Sequence, residues 1–390
     1  MNKKVPQQRI EKLLAEIHSG CLKEKARNDG DLSRWSRNRD MPLDDILLRA
    51  LGKKGLSTTM EVRHYFDEVK RKEQTVSKQA YLQQRQKLNP EVFNILNRNC
   101  LRRFYAGGEA RLWRGYLVMA TDGSSAEIPN SRENRQSYGE SESRNGKDAV
   151  ARANISALHD VFNRFILDVG IHRKDASEIE EAKAHIAALK EITGERPVLI
   201  MYDRNYASLE FMDFLEKAGV KYLIRLRSAD YKAEREGMKQ TDEEVDLMCT
   251  KPRLNALKQK SPRRAQELGQ ERSIRARIVE TVFANGEKAA LATNLREGTS
   301  GGIRRLYRKR WPIEKKFRTL KNKLEVESVA GKASMYVKQD FRAQALAFNI
   351  VQDLITETER GAVRKAKFIE HIANMINVIE EDEILNKGYF

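Results

Sequence analysis

The chain has 390 residues, 40% hydrophobic and 33% charged, enough for well-buried cores in two or three domains and too apolar for a disordered chain. No apolar run approaches the eighteen or so residues of a membrane helix, and the N-terminal MNKKVPQQRIEKL lacks the apolar stretch of a secretion signal. Cys21, Cys100 and Cys249 are too scattered for a disulfide framework or a zinc site, which fits a reducing cytoplasm, and 73 Lys+Arg against 56 Asp+Glu leave a net charge of +17 that favours a polyanionic partner.

Residues 1–112 read as an all-helical domain. Apolar residues recur at three- and four-residue spacing over 8–17, 43–51, 60–72, 77–87 and 90–105. Ser77 is placed to cap a helix, and Asn89-Pro90 ends that helix and starts the next. Residues 1–113 hold 24 Lys+Arg against 14 Asp+Glu, more than half of the excess charge. Short helices with Lys78, Gln79, Gln83, Arg85 and Gln86 turned to solvent suit a helix-turn-helix-like DNA reader, with Lys78, Gln83 and Arg85 as its contacts. A helical adaptor with a merely wet polar face fits the same pattern.

From residue 113 the texture changes. Short β-forming runs at 116–121, 151–158 and 164–170 precede a helix at 177–192. The continuous apolar run PVLIMY at 197–202 suits a strand buried on both faces, and a helix at 208–218 and a strand at 221–226 follow. Three meandering strands followed by helix, strand, helix, strand predict an α/β class with a mixed sheet, its first part spanning 113–228. Residues 229–300 break the rhythm as a basic, β-containing insertion: 251–277 holds nine Lys+Arg and two Asp+Glu, and strand-like pieces lie at 275–283 and 288–293. Residues 301–390 return to the core with a long helical region at 303–324 and a helical tail.

Three acids stand out. Asp122 ends the first strand in MATDGSS, and Asp203 ends the central one in LIMYDRNY, where α/β sheets place reactive groups. Each taken alone reads equally as a turn or cap residue. Glu314 is the single acid among ten Lys or Arg over 303–323. On a helix, Leu306, Ile313, Phe317, Leu320 and Leu324 form one apolar stripe, and Tyr307, Arg310, Glu314 and Lys321 a second, roughly 70° around from it. A carboxylate amid cations stays ionised, as a metal ligand must, or simply pairs with Arg310 or Arg318. Three converging carboxylates would hold hard cations such as Mg²⁺ through oxygen.

The spacing Tyr307, two residues, Arg310, three residues, Glu314, six residues, Lys321 resembles the Y-(2)-R-(3)-E-(6)-K signature of the insertion-sequence-four transposases. Asp122 in TDGS and Asp203 in YDRNY resemble the first two acids of their DDE triad. VSKQAYLQQRQKLNPEVF and ATNL resemble their N-terminal region and the strand before the signature helix. The resemblance implies a ribonuclease H-like core in which Asp122, Asp203 and Glu314 are catalytic and ligate Mg²⁺, two ions in all, with Mn²⁺ able to substitute. It implies that Tyr307, Arg310 and Lys321, with Arg318, grip phosphates at the element terminus, and that Trp311 stacks on a base or packs. The implied partners are duplex DNA, as terminal inverted repeats and target, and a second copy of the chain on that DNA, in a cytoplasmic, nucleoid-associated setting. The basic insertion is expected to clamp DNA.

Two departures from the family pattern stand in the sequence. Pro312 lies two residues before Glu314, which predicts a kink or a fresh helix start at Trp311-Pro312. Ala289 and Ala290 stand where some relatives carry a base-capturing tryptophan. No P-loop is present, since Gly139 and Gly146-Lys147-Asp148 are misspaced, and no GxSxG or HExxH occurs, so no nucleotide cofactor is expected. The alternatives are a non-catalytic DNA-binding relative and a simple metal-dependent nuclease.

Overall fold

In the computed structural model, the described residues are 5–36, 41–70, 76–142, 149–271, 273–282, 286, 288–310 and 329–358. A helical unit comes first: α1 (Val5–His18), α2 (Cys21–Lys25), α3 (Leu43–Leu51), α4 (Thr58–His64) running into a π-helical turn at Tyr65–Lys70, α5 (Lys78–Arg85) and α6 (Glu91–Ala106). Side-chain caps start two of these helices, with Ser77 accepting from the Ala80 N–H and Ser57 from the Met60 N–H. Then follow β1 (Leu117–Glu127), α7 (Arg132–Tyr138), β2 (Glu140–Glu142), β3 (Ala149–Asp160), β4 (Ile166–Arg173), α8 (Glu178–Thr193), β5 (Val198–Tyr202), α9 (Leu209–Lys217) and β6 (Lys221–Leu226).

The core sheet runs β4-β3-β1-β5-β6. β3 runs antiparallel to both of its neighbours, β1 and β4, whereas β1-β5 and β5-β6 are parallel, with helices α8 and α9 leading into β5 and β6. That order, with three meandering strands and then two crossover strands, is the ribonuclease H-like arrangement. The insertion, α10 (Lys232–Glu236), β7 (Asp242–Met248), α11 (Lys251–Lys260), α12 (Pro262–Glu271), β8 (Ser273–Val282) and β9 (Lys288–Thr293), does not stand apart as its own subdomain. β9 pairs antiparallel with β6, β8 with β9 and β7 with β8, so the insertion lengthens the same sheet.

Helices cover both faces. On one, α6, α8, α9 and α12 bury Phe104, Leu189, Phe211, Leu215 and Leu268 against Leu117, Met119, Ile200 and Tyr202. On the other, α13 (Ser300–Arg308) packs Ile303, Leu306 and Tyr307 on Val118, Ala120, Leu199 and Met201. The long helix α14 (Ser334–Thr358) covers that same face farther along, with Phe341 and Ala345 against Ile155 and Ala157 of β3.

α14 also belongs to the helical unit. Its Ala343, Leu346 and Ile350 complete the N-terminal core around Leu13, Ile46, Phe93 and Leu96. Polar side chains fasten it at depth. Arg9 donates twice to Asp353, at 2.8 and 2.7 Å, and Asn349 donates to the Ile166 carbonyl at 2.7 Å while accepting from the Ile166 N–H at 2.8 Å. The first 112 residues therefore share one core with a helix more than 220 residues downstream.

Candidate active site

Asp122 and Asp203 are brought side by side by strand register. β1 and β5 pair in parallel from Leu117 with Val198 to Ala120 with Met201. Two residues beyond this last pair stand Asp122, still within β1, and Asp203, the first residue past β5. Alternation along each strand sends both carboxylates to the face that α13 covers, because Val118, Ala120, Leu199 and Met201 already point there. Both residues are half-buried. Asp122 is not at the end of its strand, as the sequence suggested. β1 runs on to Glu127, with Asp122 opposite Ala157 of β3, while its parallel partner stops. Asp203 leaves its strand and caps the 3₁₀ turn Arg204–Tyr206, accepting from the Asn205 N–H at 2.8 Å.

The same register reaches a residue that the sequence reading missed. β5 and β6 pair from Leu199 with Lys221 to Tyr202 with Ile224, so Arg225 follows beside Asp203. Asp122 within β1, Asp203 just past β5 and Arg225 within β6 thus form a row at one level across three adjacent strands. The signal was present in KYLIRL: a half-buried cation interrupts an otherwise apolar strand, on the same face as Leu223.

Tyr307 of α13 ties the helix to this row. Its hydroxyl donates to the Tyr202 carbonyl, immediately before Asp203, at 3.1 Å. Burial pushes its phenol up to about 12; Arg310 and Arg225 pull it down and Asp203 pushes it further up. The phenol is therefore a permanent donor at physiological pH. The Arg310 guanidinium lies over the Tyr307 ring, 5.9 Å from its centroid, and is itself buried. α13 stops at Arg308, with Lys309 and Arg310 in the turn ahead of Pro312. Glu314, Trp311, Arg318 and Lys321 lie outside the described residues, and among those described no three His, Cys, Asp or Glu gather as a metal site. Two carboxylates nonetheless fit one side of a hard-cation site.

The N-terminal candidates divide. Lys78 and Gln83 are exposed on α5, as are Gln79 and Gln86. Arg85 corrects the expectation. It is fully buried, 2.7 Å from the Asp340 carboxylate and donating to the Gln339 side-chain oxygen at 2.8 Å, so it holds α5 to α14 and presents nothing to DNA. A separate constellation, Asp168–His185–Ser156 at 2.8 and 3.0 Å, has the order of a charge relay, but Ser156 is 1% exposed beneath α8, which leaves it a packing role.

Residues 113–350 match the family described as transposase DDE domain, a stretch that includes both aspartates, Arg225 and Tyr307. The chain belongs to that family. Members are polynucleotidyl transferases or nucleases that use divalent metal. No curated protein matches this transposase-family chain. Among solved structures, it is similar to a piggyBac transposase synaptic complex with hairpin DNA, at 10% identity and a TM-score of 0.47, over 100% of this chain and 80% of that one. It is also similar to a pre-cleavage Mos1 transpososome, at 12% identity and a TM-score of 0.19, over 50% of this chain and 63% of that one. Neither likeness is close enough to carry an argument about this DDE-domain chain.

Proposed function

We propose that the protein is the transposase of an insertion sequence of the insertion-sequence-four type. It binds terminal inverted repeats, hydrolyses a phosphodiester at each element end, and joins the freed 3′-hydroxyl to target DNA. This reading is supported by the register that sets Asp122 level with Asp203 under α13, which bears Tyr307 and is followed by Arg310 in the next turn, within a chain of the DDE family.

Asp122 and Asp203, with Glu314 as the third acid, would hold divalent cations, Mg²⁺ or Mn²⁺ and two in number, which when bound activate the attacking oxygen and stabilise the leaving one. The chain's own residues supply the rest. The Tyr307–Tyr202 hydrogen bond fixes the backbone from which Asp203 projects, and Arg225 and Arg310 place fixed positive charge beside the scissile phosphate. Lys321, Arg318 and Trp311 complete the grip on the terminus, and Lys78 and Gln83 of α5 contact the repeat. Treating two ends together calls for a homodimer on DNA, in the cytoplasm near the nucleoid.

Incubating the protein and Mg²⁺ with pre-cut element ends and a supercoiled plasmid tests the joining step. Plasmid products covalently linked to the end by its 3′-hydroxyl are expected. Nicking of uncut ends without such products would leave a nuclease, and binding without either reaction would leave a non-catalytic DNA-binding relative.

A further inference from the structure

The insertion's basic helices do not face the catalytic row. α11 turns Leu254 and Leu257, and α12 turns Leu268, into the layer built on Phe211, Met212 and Leu215 of α9. Arg264 of α12 pairs with Asp213 of α9, and Lys217 of α9 with Glu271, at 2.7 Å. That layer lies on the opposite face of the sheet from α13 and α14, and so from Asp122 and Asp203. A clamp closing over the active site is not available to this hairpin.

Its outer surface is nevertheless built for phosphate. Residues 251–271 carry six Lys or Arg and two Glu. No residue of α11 is buried. At 100° per residue Lys251, Asn255 and Lys258 fall on one stripe, spanning about 10 Å, or roughly three base-pair steps of duplex axis. Among the described residues Lys251, Lys258 and Lys260 make no ion pair, and Arg263, whose side chain is 92% exposed, pairs only with Glu267 on its own helix. Elsewhere on this layer the cations are spent: Arg253 pairs with Glu234, and Arg264 with α9. The stripe alternates cations with amides and carries no large apolar side chain, which suits a DNA backbone and not insertion into a lipid surface.

Resting on the transposase reading, we propose that the α11–α12 hairpin is a second, sequence-independent binding surface for duplex DNA, occupied by a segment other than the one at Asp122 and Asp203. Cations there add affinity through counterion release without touching the chemistry.

The test uses the full chain with Lys251→Glu and Lys258→Glu combined, and a milder double Gln variant as a check on folding. Binding of a labelled 30-bp duplex of unrelated sequence (about three helical turns) is measured without divalent metal across a salt series. Losing the two phosphate contacts of this stripe lowers the slope of log K against log salt by about 1.8. The expected result is that drop, with at least a tenfold loss of affinity in low salt and a smaller loss in the Gln variant, while Mg²⁺-dependent nicking of element ends stays within threefold. Unchanged affinity would overturn the proposal, as would end nicking that falls in step with duplex binding, because the hairpin would then serve the primary site. Loss of sedimentation with phosphatidylserine vesicles at unchanged duplex affinity would also overturn it, in favour of a lipid surface. Wild-type protein that binds no duplex would defeat the underlying transposase reading instead.

Discussion

Replacing Arg85 by alanine separates a structural role from a DNA-contacting one. Arg85 and Asp340 are both fully buried, and breaking a buried pair costs about 3–5 kcal/mol because the remaining charge is left uncompensated. After Arg85→Ala the Asp340 carboxylate keeps Lys53 at 3.5 Å and the Ala330 N–H at 2.8 Å, which places the loss near the low end, about 3 kcal/mol. Asp340→Ala strands two buried cations, Arg85 and Lys53, and belongs near about 5 kcal/mol. Arg85→Ala also removes a guanidinium lying 5.8 and 5.4 Å from the Tyr81 and Tyr336 ring centroids, a smaller contribution. Urea unfolding of the full chain, followed by fluorescence and circular dichroism together, would show both variants destabilised with Asp340→Ala the worse. Duplex affinity per folded molecule should stay within twofold. An Arg85→Ala protein of wild-type stability that has lost DNA binding would refute the reasoning.

Tyr307→Phe removes the hydrogen bond to the Tyr202 carbonyl, costing about 1 kcal/mol of stability and lowering the nicking rate while duplex affinity holds; single-turnover kinetics check it. Arg225→Ala should cut nicking more than tenfold, about 1.4 kcal/mol or more of barrier, with the fold intact by circular dichroism. Burial raises the Asp340 carboxyl, but Arg85, Lys53 and the Ala330 N–H together bring it below the usual carboxylate range. A depressed folded value means that its stabilisation is fully present above the unfolded value near 3.9 and is lost as pH falls through the lower folded one. Asp340→Asn should therefore flatten the fall in stability below about pH 4, measured by thermal melts from pH 3 to 6.

Much of the architecture was legible because burial writes itself into periodicity. α3, β6 and β9 begin and end where their apolar patterns do. β7, with the sequence DEEVDLM, left no such trace. Its acids are satisfied across the strand pair, Asp242 by Arg277 at 2.6 and 2.7 Å and Glu244 by Arg275 at 3.0 Å, so they read as a solvated loop. β1 was underestimated for a related reason: GSSAE looks like a turn, yet β3 pairs with it to Glu127. Arg85 was misread because its partners, Gln339 and Asp340, lie about 255 residues away and no local pattern announces a buried ion pair. The two aspartates were found from strand-end context, but that they fall in one register with Arg225 is a property of the sheet and could not be read from either segment alone.

The central claim is that Asp122 and Asp203 form the metal-dependent catalytic centre for cutting DNA. It is tested most directly by nicking of a labelled duplex carrying the native element ends, with Mg²⁺ or Mn²⁺, by wild type, Asp122→Ala and Asp203→Ala. The account predicts metal-dependent nicking at the terminus, reduced at least a thousandfold in either variant (about 4 kcal/mol of barrier) with duplex binding retained. Wild-type rates from either alanine variant, or tight binding with no cleavage by wild type under both metals, would contradict it.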